Sequence, residues 1–151
     1  MSRYLILAHE TAASPRLIQR VVEIRGEDPE AEFVLLVPAT PVKHLLLRRR
    51  EGPEGRVAEQ RAKEARSAFS AAGVQLAETR IGDASPLQAV TDEMTRDPAP
   101  QYTAVIISTL PKEQSRWLRL DLLGQVQAQH GVPVIHVQAT VADLQRLQQM
   151  P

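Results

Sequence analysis

Short apolar runs alternate with longer amphipathic stretches along this chain, and that alternation predicts its architecture. Three runs, Arg3–Ala8 (RYLILA), Phe33–Val37 (FVLLV) and Ala104–Thr109 (AVIIST), are rich in β-branched residues or leucine and are bounded by polar or turn residues. Near-continuous apolar runs of this length fit strands covered on both faces, as in a parallel sheet flanked by helices. Two weaker strands read as Gln75–Ile81 and Pro133–Val137. The first of these alternates polar and apolar residues, which predicts a partly exposed strand near a sheet edge.

Between the strands the period lengthens to that of a helix. Ser14-Pro15 predicts the start of the first, with serine as N-cap and proline in the first turn; Leu17, Ile18, Val21, Val22 and Ile24 supply its apolar stripe. A second helix is predicted over about 56–72, where Ala58, Ala62, Ala65 and Phe69 suit close packing on a sheet. The third opens with Ser85-Pro86 and carries Leu87, Val90 and Met94; the fourth covers about 115–130, and a short last helix about 141–149. Strands that alternate with helices need right-handed crossovers. The expectation is an α/β fold: one domain over 1–151, with a three-layer, doubly wound, five-stranded parallel sheet. One stretch breaks the pattern. Residues 38–55 hold Pro38, Pro41, Pro53, two glycines and Arg48-Arg49-Arg50. Such a long connection predicts a functional or mobile loop, with Leu45–Leu47 as a docking turn and the arginines as a solvated face.

Composition narrows the function classes. The chain has 43% hydrophobic and 24% charged residues among 151, which fits a folded domain rather than disorder. Eighteen basic and eighteen acidic side chains cancel, so no overall field draws the protein to nucleic acid, and Arg48–Arg50 lack interleaved aromatic residues. Cysteine is absent, which excludes disulfides, thiol nucleophiles and cysteine metal sites. The four histidines (His9, His44, His130, His136) show no close metal-site spacing. The longest apolar runs, such as Tyr4–Ala8, span five residues, against the roughly 20 of a membrane helix. No long apolar leader follows the first residues. The expected protein is cytoplasmic, with neither nucleic acid nor membrane as partner.

Three local features carry a family resemblance: LILAHETAASPRLI, the Gly82-Asp83 pair before a Ser-Pro-opened helix, and VIISTLPKEQSRWLRLDLLGQV leading into GVPVIHV. With the order of five strands, they make about residues 3–137 resemble the universal stress proteins, within the adenine-nucleotide α-hydrolase-like group. The stretch STLP…SRWLRLDL looks like a divergent branch of those domains. The resemblance implies strand order 3-2-1-4-5, a homodimer through the last strand and, in some members, ATP beside the first and fourth strands. Two departures bear on the last point. Where ATP-binding members have an Asp after the first strand, this chain reads Ala8-His9-Glu10. Their Gly-x2-Gly-x9-Gly-Ser/Thr loop is replaced by Ser108-Thr109-Leu110-Pro111, twelve further residues and Gly124-Gln125. Glycines let backbone N–H groups approach phosphate, and Pro111 has no N–H. A standard ATP cradle is not expected.

In open α/β sheets ligands bind beyond the carboxyl ends of the strands, where strand order reverses. By the implied order, the loops that face that point are His9–Ser14 and Ser108–Ser115. The candidate ligand-binding residues are therefore His9, Glu10, Thr11, Ser108, Thr109, Ser115, Arg116 and Arg119, with ATP or another phosphate-bearing small molecule as the candidate ligand. Arg116 and Arg119 lie three apart on one helical face, where guanidinium groups suit phosphate or carboxylate. Cations in a helix's first turn oppose its dipole, and this favours a compensating anion. The alternative is pairing with Glu113, Asp121 or a neighbouring acid. His9 reads as a buried structural histidine, or as a ligand-orienting group or general base. Gly82-Asp83 reads as a turn, or as a ribose contact; Trp117 as core packing before base stacking. No catalytic constellation is recognisable. Three readings remain: a small-molecule or anion-binding module without evident catalysis, a dimeric interaction domain whose nucleotide site has decayed, or an enzyme acting on an adenylylated or phosphorylated substrate, which the fold permits without a catalytic constellation in support.

Overall fold

The computed structural model describes residues 2–39 and 53–149. Five strands, β1 (Arg3–Leu7), β2 (Glu32–Pro38), β3 (Glu78–Gly82), β4 (Ala104–Thr109) and β5 (Val134–Gln138), form one sheet in the order β3-β2-β1-β4-β5. Every pairing is parallel, with Leu5 opposite both Val34 and Val105 at the centre. Because side chains alternate across a strand, the central strands feed two cores. Ile6, Leu35 and Ile106 face α1 (Pro15–Glu27) and α2 (Pro53–Ala71), joining Leu17, Val21, Ala58, Ala65 and Phe69. Leu5, Leu7, Val34 and Ile107 face α3 (Pro86–Met94) and α5 (Leu122–His130), joining Ala89, Val90, Leu122 and Val126. The α/β class, the parallel sheet and its 3-2-1-4-5 order are as expected.

Several boundaries differ from the sequence reading. The third strand begins at Glu78 rather than Gln75. Val74 and Leu76 are buried among the α2-side core residues, while the N–H of Ala77 still bonds the Phe33 carbonyl (2.8 Å). The predicted fourth helix is two helices, α4 (Arg116–Arg119) and α5, preceded by a 3-10 turn over Lys112–Gln114. The break falls at Asp121, whose φ of 53° is left-handed, a conformation that aspartate tolerates better than most side chains. Gly124 accommodates it: a β-carbon there would meet the Asp121 carboxylate at 2.6 Å. Val22, assigned to the first helix's apolar stripe, is 40% exposed, because burial follows Leu17, Val21 and Ile24 at helical spacing. The expectations for residues 40–52, including Leu45–Leu47 and Arg48–Arg50, lie outside the described residues. A last helix, α6 (Val141–Gln149), starts from a reciprocal cap. Thr140 donates N–H and O–H to the Asp143 carboxylate (2.9 Å each), and its Oγ1 accepts the Asp143 N–H (3.1 Å).

Among the described residues, no helix is long and apolar enough to cross a membrane.

Candidate functional site

The carboxyl ends of β1 and β4 open into two loops, and those loops enclose a cavity of about 340 Å³. All eight sequence-predicted residues line it: His9, Glu10 and Thr11 from the first loop, and Ser108, Thr109, Ser115, Arg116 and Arg119 from the second. Leu110, Gln114 and Trp117 complete the wall. Sequence reasoning missed Leu110 and Gln114 and assigned Trp117 to packing. Trp117 is in fact half-buried against the α3/α5 core while also facing the cavity. Its position next to Arg116, a predicted site residue, was the available signal. Lys112 of the same loop is exposed and is not part of the wall.

Hydroxyl groups tie the two loops together. Thr11 Oγ1 and Ser108 Oγ share a buried 2.6 Å hydrogen bond across the switch point. Ser115 accepts the Leu118 N–H at 3.2 Å and so caps α4, as its sequence position suggested. Ser14 departs from expectation. It occupies the N-cap position of α1, but its hydroxyl makes no capping bond and lies buried without a partner among the described residues. Thr109 Oγ1 meets His136 Nε2 of the edge strand at 2.8 Å.

His9 is 7% exposed, and its Nε2 has no hydrogen-bond partner among the described residues. Burial, then the nearby Arg61 charge, lowers its pKa to about 4. At neutral pH the ring is therefore uncharged and a weak base, which makes the general-base reading the poorer one. Ala8 is fully buried just after β1, and Glu10 is solvent-exposed and lines the cavity.

Arg116 and Arg119 provide the positive charge. Among the described residues neither forms an ion pair; Glu113 and Asp121, the local acids, do not reach them within salt-bridge distance. One part of the sequence reasoning fails here. α4 is a single turn, with Arg119 at its last residue, so no long helix dipole opposes the pair. What the structure shows is simpler: Glu10 lines the same cavity, but no carboxylate among the described residues comes within ion-pair distance of either arginine.

Gly82-Asp83 lies apart from this cavity. Gly82 ends β3 where a β-carbon would come within 2.7 Å of the Ala89 β-carbon and 2.9 Å of Leu36, so glycine lets α3 approach the sheet. Asp83 accepts the Ser85 N–H at 2.8 Å, and Ser85 caps α3 by accepting the Gln88 N–H at 3.4 Å. The turn reading accounts for the pair.

Comparison with known proteins agrees with the geometry. No protein-family model matches the sequence, and no curated protein matches it. Among solved structures, a universal stress protein from Archaeoglobus fulgidus aligns over 91% of this chain and 93% of its own, with a TM-score of 0.56 and 14% identity. The fold is that of a universal stress protein. At that identity the likeness concerns the path of the backbone. The stress-protein-like chain described here has its own loop chemistry at the switch point, with arginines and hydroxyls where a glycine loop was absent from the sequence.

Proposed function

We propose that this stress-protein-like module binds a small anion or phosphate-bearing small molecule, a nucleotide included, in the cavity between the β1 and β4 loops. One observation carries the reading: two guanidinium groups face a cavity at the switch point with no acid partner among the described residues. Guanidinium donors match phosphate or carboxylate oxygens in a bidentate manner and keep their charge at any physiological pH. Neutral His9 neither adds to nor screens that charge, and the serine and threonine hydroxyls offer neutral hydrogen bonds around it. Binding without turnover is the reading. The Thr11 and Ser108 hydroxyls bond each other and the Ser115 oxygen accepts the Leu118 N–H, so none of the three is held against a base that would make it a nucleophile, while the protons left over remain free to donate to an anion. The module acts as a homodimer joined through β5, the edge opposite β3.

Trp117, the sole tryptophan, lines the cavity and reports on occupancy. Titration with pyrophosphate is expected to change its fluorescence saturably. Arg116→Ala and Arg119→Ala are each expected to weaken binding about tenfold, the loss of one charge-assisted contact. A wild-type protein that shows no saturable response to pyrophosphate or ATP is not this binding module. The decayed-site alternative would then stand, since it predicts that these arginines have no ligand to meet.

A further inference from the structure

A second cavity, of about 500 Å³, adjoins the first on the α3 side. Its walls come from the β3–α3 turn and from α4 and α5, and it shares Arg116 and Trp117 with the switch-point cavity. Its chemistry is different. Pro86, Leu87, Leu120 and Leu122 are apolar, and Leu120 is 57% exposed. Asp83 and Ser85 stand at the end contributed by the β3–α3 turn. The volume lies within the range of small-molecule sites, which combine apolar walls with a few polar groups.

We propose that the two cavities are halves of one site for an aromatic anion, a flat ring system carrying a phosphate, sulfonate or carboxylate. This rests on the anion-binding reading above and extends it to the rest of the molecule bound. The anion meets Arg116 and Arg119 in the switch-point cavity. The ring crosses the shared Arg116–Trp117 wall and covers the leucines on the α3 side. Electrostatics sets that direction: the near cavity sets Arg116 and Arg119 against the single Glu10 carboxylate, whereas the far one has the Asp83 carboxylate and only the shared Arg116. The indole face of Trp117 and the planar guanidinium of Arg116 both suit stacking against an aromatic ring.

Inorganic phosphate serves as the head-group probe and 1-naphthyl phosphate as the complete one, with affinities from calorimetry and positions from methyl NMR. The wild-type protein is expected to bind 1-naphthyl phosphate at least tenfold tighter than phosphate, with shifts at the Leu87, Leu120 and Leu122 methyls for the aromatic probe alone. Leu120→Asn, a neutral polar change at an exposed position, is expected to remove most of that advantage and leave phosphate affinity unchanged. Arg116→Ala weakens both probes. Equal affinities for the two probes in the wild type overturn the proposal and leave the anion site intact. So does an advantage that survives Leu120→Asn, or an absence of the leucine methyl shifts. Failure of both probes to bind overturns the anion reading itself.

Discussion

His9 shows how a single side chain links burial to pH. Its folded pKa is about 4 against an ordinary 6.5, chiefly because burial disfavours the charged ring, so between those values the unfolded chain binds the extra proton. Stability then rises with pH across that window, is complete above about 6.5 and falls progressively as the pH drops toward 4. The displacement corresponds to about 3 kcal/mol at roughly 1.4 kcal/mol per unit. His9→Gln is expected to flatten this part of the stability profile in urea denaturation at pH 4 to 7.5; parallel wild-type and variant profiles would contradict it. Gly82 offers a second test at the same scale. Adding a methyl group there drives the Ala89 β-carbon away from β3, so Gly82→Ala is expected to cost about 1–3 kcal/mol by overpacking. An unchanged denaturation midpoint would show that α3 can yield at no cost.

At the scale of elements, the two sheet edges differ. β3 carries Glu78 and Arg80, and Arg3 and Glu93 engage these charges (Arg3 to Glu78 at 3.2 Å, Arg80 to Glu93 at 3.0 Å), so this edge is lined with charge of the kind that discourages pairing. β5 reads Val134-Ile135-His136-Val137-Gln138, without an acid or base charged at neutral pH. Val137 is only 5% exposed within the protomer, and Val134 and Ile135 pack on opposite cores. The Ile135/Val137 face is therefore occupied already, and the exposed His136 and the strand's outer backbone are what a second copy would meet. Light scattering at tens of micromolar is expected to give a dimer mass; a monomer mass would remove the homodimer from the proposed function. α6 is anchored beside this edge by Asp143, which also takes an ion pair from Arg16 of α1 at 3.3 Å. Burial pushes the Asp143 carboxyl up, but the Thr140 and Arg16 bonds outweigh it and hold the pKa below the ordinary value. That anchor therefore strengthens folding at neutral pH and weakens in acid, as the pH falls through the lowered pKa.

Across the whole molecule, a partly buried polar cluster ties α3, β3, β1 and the segment just before β4 at the end of the sheet opposite the cavities. Glu93 of α3 is 3% exposed and receives Arg80 of β3, Arg96 (3.6 Å) and the Tyr102 hydroxyl (2.6 Å) just before β4. The Arg3 guanidinium, from β1, lies 5.6 Å from the Tyr102 ring centroid. Burial and the Glu93 carboxylate push the Tyr102 phenol well above its usual pKa. Removing the central acid leaves Arg80 with Glu78 alone, and leaves Arg96 and the Tyr102 hydroxyl without their partner among the described residues. Glu93→Ala is expected to destabilise by about 3 kcal/mol, against about 1 kcal/mol for Tyr102→Phe, in urea denaturation. Equal small losses would mean that the cluster is no more than a surface feature. This cluster was not legible in the sequence, because Arg3, Glu78, Arg80, Glu93 and Tyr102 are joined only by the sheet order.

The local pattern of side chains was enough to determine the alternation of strands and helices, the parallel sheet and the two loops at its carboxyl edge. Period and capping depend on neighbours a few residues apart, so a linear reading holds the information they need. Tertiary structure alone decided four things: the left-handed break at Asp121, the buried Ser14 hydroxyl without a partner among the described residues, the absence there of an ion pair to Arg116 or Arg119, and the two cavities that share Trp117. Each depends on which atoms lie within a few ångströms across the sheet, and no spacing along the chain encodes that distance.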